Sequence, residues 1–269
     1  MKKLLLLLLI SLNLHAETIE MVVTATPGGP EDTLIRKLST VLENKTDFKF
    51  VVFNKPGASK AIGYSYVESS TKPTLLTSSD SILEHSVINS VEPIFYIGSS
   101  SIIWFVSKDS NFKTMDDLIK LSQQREVRIS SAGTTTQSYK GAQMFCEKII
   151  RCLMVPYKSN GPETMSALLN GTLDAVTLPS YGNLAYLQND RFQPIFVMLN
   201  TKNKFINAPI LPDKFKHLEK QDWTLLFAKN LSDSDKKTIV NVLKSVNTDF
   251  YTEMGFQYSF KDPKKVLHD

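Results

Sequence analysis

The sequence predicts an α/β fold built on mostly parallel sheets. Short β-favouring runs alternate with amphipathic stretches at helical spacing, several of those stretches open on helix-start signals, and the alternation continues along almost the whole chain. Residues 19–25 are apolar or β-favouring and read as the first strand. Pro30, Glu31 and Asp32 then open a helix, because proline suits the first helical position and acids complement the helix dipole. Leu34, Ile35, Leu38, Val41 and Leu42 give that helix one apolar stripe. Residues 48–53 read as a second strand, 61–69 as a helix and 75–77 as a short third strand. Residues 102–107 make another strand, followed by the capping-box pattern of Thr114 and Asp117 ahead of Leu118, Ile119 and Leu121. The unit repeats as strand 127–130, helix 137–149, strand 153–155, helix 163–169, strand 174–178, helix 181–188 and strand 195–199. A strand at 223–228 follows, and Ser232 with Asp235 caps a long helix in which Ile239, Val242, Leu243 and Val246 keep the period.

Composition supports a globular chain: of 269 residues, 42% are hydrophobic and 22% charged, which excludes long disorder and collagen-like repeats. Lys plus Arg outnumber Asp plus Glu by 31 to 27, and two of the lysines are Lys2 and Lys3. No run of five or six basic residues occurs, so a nucleic-acid partner is not expected. Residues 1–16 have the form of a signal peptide: a basic start, an apolar run from Leu4 to Ile10, and small Ala16 before Glu17. Cleavage after Ala16 and export to a bacterial periplasm are the expectation. In that oxidising compartment Cys146 and Cys152, the chain's two cysteines, point to one disulfide, with two buried thiols as the alternative. A metal site is disfavoured, since His85, His217 and His268 are scattered away from both cysteines.

In open α/β sheets ligands sit outside the carboxyl ends of the strands, and three strand-to-helix turns there carry suggestive residues. The first is ATPGGPED, from Ala25 to Asp32, where Pro27, Gly28 and Gly29 let backbone approach a ligand at a helix N-terminus that favours anions. In the second, SSAGTTTQS, Ser131, Ala132, Gly133, Thr134 and Thr136 set hydroxyls and small residues beside another helix start. The third, VPYKSNGPE, offers Tyr157 as an amphipathic wall. Each turn also has an ordinary structural reading, as a tight turn, an N-cap or core; together they favour an anion cleft. The chain has no G-x-x-x-x-G-K-[ST] loop, no G-x-G-x-x-G, no G-x-S-x-G and no H-E-x-x-H, so nucleotide binding, a nucleophile elbow and a zinc enzyme lack support. Glu84-His85 reads as a solvated loop, and Asp116-Asp117 as first-turn acids. No cofactor and no catalytic residue is expected.

In order, these turns resemble those of the receptors of tripartite tricarboxylate transporters, the Bug or TctC-like solute-binding proteins. A first-turn pattern pGGxxDxxxR is matched by Pro27, Gly28, Gly29, Asp32 and Arg36. NKPGASKAIG partly meets rPGAgGxiG through Pro56, Gly57, Ala58, Ile62 and Gly63, and Ser131, Ala132 and Gly133 meet the middle turn loosely. The most specific stretch, VPYKSNGPETMSALLNGTLD, agrees at Val155, Pro156, Tyr157, Lys158, Leu168, Leu169, Gly171 and Asp174. The likeness covers roughly residues 19–180. Ser59, Lys60 and Thr135 replace family glycines, the Asp-Gly before the third strand is missing, and 269 residues is short for the family.

The resemblance implies a two-lobed periplasmic binding protein, a type II-like Venus flytrap whose lobes close over a small carboxylate. Crossings near 101–104 and 220–223 would make lobe one discontinuous (17–102 plus 222–269) and lobe two 103–221. Pro27, Gly28 and Gly29 would frame one side of the ligand; Ser131, Ala132, Gly133, Thr134 and Thr136 would hold its carboxylate on the other. Ser78, Ser79, Pro179 and Ser180 join the candidates from strand-end position. Asp32 with Arg36, four apart on a helix, and Asp174 read as structural. The implied partner is a membrane permease, with a monomeric receptor. The alternatives are a sensor component for a membrane kinase and, from another class, a secreted α/β hydrolase.

Overall fold

The structure, a computed structural model, describes residues 17–131, 136–157, 161–199 and 206–267. Its strands and helices are β1 (Thr18–Val23), α1 (Pro30–Glu43), β2 (Lys49–Asn54), α2 (Ala61–Ser69), β3 (Thr74–Ser78), β4 (Glu92–Ser107), α3 (Met115–Gln124), β5 (Val127–Ser131), α4 (Gln137–Lys148), β6 (Cys152–Met154), α5 (Pro162–Leu169), β7 (Ala175–Pro179), α6 (Leu184–Leu187), β8 (Phe192–Val197), β9 (Gln221–Lys229), α7 (Asp233–Lys244), α8 (Thr248–Thr252) and α9 (Pro263–Val266). Short 3-10 turns at Asp80–Glu84, Ser86–Ser90 and Asp213–Leu218 link them.

The helices begin where local chemistry asks them to. Pro30 occupies the first turn of α1, and Leu34, Ile35, Leu38 and Leu42 are buried along its inner stripe. Thr114 and Asp117 close a reciprocal capping box on α3, and the Ser232 hydroxyl accepts from the Asp235 amide at α7. Each cap satisfies amides that have no partner inside the helix.

The strands follow one path, β2-β1-β3-β9-β4-β7-β5-β6, with β8 pairing β4 off that path. Ladders β1–β2, β1–β3, β5–β6 and β5–β7 are parallel; those made by β4 and β9 are antiparallel. The 16-residue β4 joins the two halves. Residues 92–101 pair with β9, while Ile102 onward pairs with β7 and β8, so the hand-over falls at Ser101/Ile102. Each half has apolar cores of its own. Met21, Leu34, Leu38, Leu75 and Leu243 share one cluster beside the β1-side half, and Tyr64, Leu76 and Phe227 share another. In the second half Trp104, Phe145 and Phe196 share one cluster, Trp104 stacking on Phe196 at 5.0 Å, and Met165, Leu168, Val176 and Leu178 share another. The fold is a two-lobed α/β fold with strands crossing between the lobes.

Two elements differ from the sequence reading. The first ten residues of β4 are absent from the expected strand 102–107, because Pro93, Gly98 and three serines interrupt the β pattern. Bulges between Pro93/Phe95 and Tyr96/Gly98 absorb these residues. Gly98 is also needed there for a close approach, since a Cβ on it would lie 2.9 Å from Phe256 Cβ. The helix expected at 181–188 shrinks to α6, as Gly182 takes a left-handed φ of 69° and turns the chain.

Cys146 at the end of α4 and Cys152 at the start of β6 form a disulfide, with Cα atoms 5.4 Å apart. No helix among the described residues is long and apolar enough to cross a membrane. At the opening of β7, the buried Asp174 carboxylate accepts from Arg125 Nη1 (2.7 Å) and Nη2 (2.8 Å) and from the Arg128 amide (2.8 Å) and guanidinium. It therefore ties α3 to the β5–β7 ladder, at the strand end opposite the candidate turns. Burial alone would raise its pKa, but the Arg125 and Arg128 hydrogen bonds outweigh burial and hold the carboxyl well below the usual range. A depressed carboxylate adds stability above its unfolded pKa and loses it as the pH falls through the folded one. Asp174→Asn is expected to cost about 2–3 kcal/mol at neutral pH, tempered by the half-exposed arginines. The cost should shrink in urea denaturation series taken below about pH 4, where the wild-type carboxyl begins to protonate in the unfolded chain while it stays ionised in the folded one.

Candidate functional site

The first turn, between β1 and α1, is held rigidly by its own side chains. Asp32 Oδ2 accepts from the Gly28 amide at 2.9 Å, and its carboxylate also accepts from Arg36 Nε (3.0 Å) and Asn54 Nδ2 (2.9 Å). Asn54 Nδ2 donates as well to the Ala25 carbonyl. Glu31 Oε1 accepts from the Thr24 amide (2.8 Å) and hydroxyl (2.9 Å), with Lys60 Nζ 3.7 Å from the other oxygen. Burial would raise the Asp32 carboxyl; the bonds from Arg36, Gly28 and Asn54 overcome it and keep the group ionised below its ordinary range. The Gly28 amide is thus spent on Asp32, and the Gly29 amide donates to the Thr26 carbonyl. What the turn presents to an anion is the dipole and first-turn amides of α1, flanked by exposed Pro27 and Gly28 and half-buried Gly29.

The middle turn starts at buried Ser131, whose hydroxyl has no hydrogen-bond partner among the described residues, and ends at Thr136. The Thr136 hydroxyl caps α4 by accepting from the Tyr139 amide at 3.2 Å. Ala132, Gly133 and Thr134 lie outside the described residues. Tyr157 is half-buried against the Met165–Leu168 cluster.

The strand-end serines have other duties. Buried Ser78 directs its hydroxyl to Tyr64, which also contacts Ser81, so it faces α2. Ser79 is half-buried, and its hydroxyl lies 3.4 Å from the Ser81 hydroxyl. Pro179 ends β7. Ser180 is wholly buried: its hydroxyl donates to the Gly255 carbonyl (2.7 Å) and accepts from the Ser101 amide (3.0 Å), while its amide donates to the Ser101 carbonyl (2.7 Å). Expected as a ligand contact, Ser180 instead clips the end of β7 to the hand-over point of β4 and to the chain segment after α8.

Each candidate helix start touches the opposite half of the molecule. The turn after β7 packs on the start of α1, and a Cβ at Gly182 would lie 2.2 Å from Pro30 Cβ. Lys140, in the first turn of α4, pairs with Glu84 beyond β3 at 2.8 Å. Both contacts run between the two halves of the molecule. Two residues that the sequence does not single out, Thr77 and Tyr181, have buried hydroxyl oxygens with no hydrogen-bond partner among the described residues. Gly182→Ala should destabilise the protein by about 2–4 kcal/mol in urea denaturation, combining left-handed backbone strain with overpacking on Pro30. Gly171→Ala, whose added Cβ meets nothing within 4 Å, should show only the backbone part, about 1–2 kcal/mol.

Comparison with known proteins places this geometry. The family model described as the tripartite tricarboxylate transporter family receptor matches residues 34–257. Protein BugT of Bordetella pertussis is 27% identical over 203 residues, which are 65% of this chain and 62% of BugT, so the match spans less than two thirds of that relative. The structure of the periplasmic binding protein BugD superposes with a TM-score of 0.78 at 19% identity, covering 94% of this chain and 92% of that one. An R. palustris protein with adipate gives a TM-score of 0.82 at 16% identity, covering 95% and 93%. The fold is that of a periplasmic binding protein, and the chain belongs to the tripartite tricarboxylate transporter receptor family.

Proposed function

We propose that this protein is a periplasmic solute receptor that captures a small organic anion, a carboxylate, between its lobes and delivers it to the permease of a tripartite tricarboxylate-type transporter. The observation that carries the reading is that two helix starts each touch the opposite half of the molecule, α1 through Pro30 at Gly182 and α4 through Lys140 at Glu84. Helix N-termini favour negative charge. In this reading the α1 turn, with Pro27, Gly28 and Gly29, frames the solute, and the middle turn, with Ser131, Gly133, Thr134 and Thr136, holds its carboxylate. The lobes are 17–102 with 222–269, and 103–221; the hand-over within β4 at Ser101/Ile102 supports that division. Residues 1–16 direct export and are removed after Ala16, and the receptor works as a monomer. It acts by capture and release: the closed form binds the solute more tightly, so the solute shifts the lobes toward closure, and the permease recognises that form.

The test is a thermal-shift screen of the mature protein against citrate, tartrate, L-malate, succinate, adipate and aromatic acids. A ligand at 100 times its Kd adds about 2.7 kcal/mol, which raises the midpoint of a chain this size by roughly 5–11 °C. The expected result is a selective shift that disappears in Gly133→Leu while unfolding stays cooperative. No shift across the panel, with protein refolded to remove any carried solute, counts against the reading. Steady hydrolysis of simple esters by the pure protein would favour the enzyme alternative.

A further inference from the structure

Two hydroxyls beside the first turn have no hydrogen-bond partner among the described residues. Thr77 is about 1% exposed and its Oγ1 makes no hydrogen bond. It pairs with Leu226 in the β3–β9 ladder, and cross-strand partners share a face, so its side chain lies on the Leu226 side with the α1 core. Extending the β1–β3 register by one residue past Val22↔Leu76 sets Thr77 beside Val23, one residue before the turn starts at Thr24. Ser78, one residue on, points the other way to Tyr64.

Tyr181 approaches the same turn from the opposite lobe. Its ring packs against the cluster that includes Ala25 and stacks on Phe256 at 4.3 Å. Its neighbour Gly182 sits on Pro30. The ring is partly exposed, yet the hydroxyl oxygen is buried without a partner. Native proteins almost always satisfy such groups, and an exception asks for a bound partner. Burial, together with the charges of Glu31, Asp222 and Asp32, pushes the phenol's pKa well up, so it stays a donor. The same acids repel a second carboxylate at that point.

We propose that the Thr77 and Tyr181 hydroxyls hydrogen-bond to the captured solute from either side of the first turn and select one carrying an uncharged oxygen, a hydroxyl or a carbonyl, beyond its acid groups. This rests on the carboxylate-receptor reading and adds a specificity determinant to it.

The experiment uses Thr77→Val, Tyr181→Phe and the double variant, each removing O–H with little change of shape. In the ligand-free protein the thermal midpoint should stay within a degree of wild type or rise. A fall of several degrees in both single variants means that each hydroxyl already has a structural partner, and overturns the proposal. Titration calorimetry then compares L-malate with succinate, which differ by one hydroxyl. Wild type should prefer malate; each single variant should lose about five- to tenfold of that preference, the worth of one hydrogen bond, with succinate affinity kept within about twofold. An unchanged preference in the double variant, or a wild type that responds only to acids lacking such an oxygen, overturns the proposal while leaving the receptor reading intact. A wild type that responds to no carboxylate defeats both.

Discussion

The continuity of β4 is the constraint on which the rest of the molecule depends. One strand of 16 residues belongs to both halves, so the two sets of strand ends cannot be placed independently. Its partner changes at Ser101/Ile102, and Ser180 binds both the amide and the carbonyl of Ser101 while holding Gly255. Three separate stretches of chain are therefore fixed at a single point.

Four apolar clusters hold the strands and helices, and the Asp174–Arg125–Arg128 group lies at the far ends of β5 and β7. Around the first turn the protein uses short polar links instead. Asp32, Arg36 and Asn54 fix the shape of the first turn through their own hydrogen bonds, so that it is preformed rather than loose.

Much of this was legible in the sequence, for local reasons. The caps at Thr114 and Ser232, the Pro30 helix start and the α2 helix at Ala61–Ser69 emerge where residue type and spacing place them. The first half of β4 was not legible, because Pro93, Gly98 and three serines interrupt its β pattern and its order comes from pairing with β9, 120 or more residues away in sequence. At the site, strand-end position pointed to Ser78 and Ser180, whereas the structure gives Ser78 to Tyr64 and Ser180 to Ser101 and Gly255. Strict alternation along β3 already separated Thr77 from Ser78, but only the register with Leu226 says which face each takes. Tyr181 was hidden by a helix expected over it, and Gly182 was the residue that argued against that helix.

The position of β9 has a consequence for how the chain becomes a protein. β9 lies between β3 and β4 in the sheet, yet it is the last strand in the sequence. A chain made from its N-terminus displays β3 and the start of β4 as unpaired edges until residue 221 and beyond have appeared. The half built on β5, β6, β7 and β8 has all its strands by residue 197 and can assemble first. The other half must wait for β9 to slot in as its keystone, and through that interval it is the part of the molecule that needs shielding from aggregation.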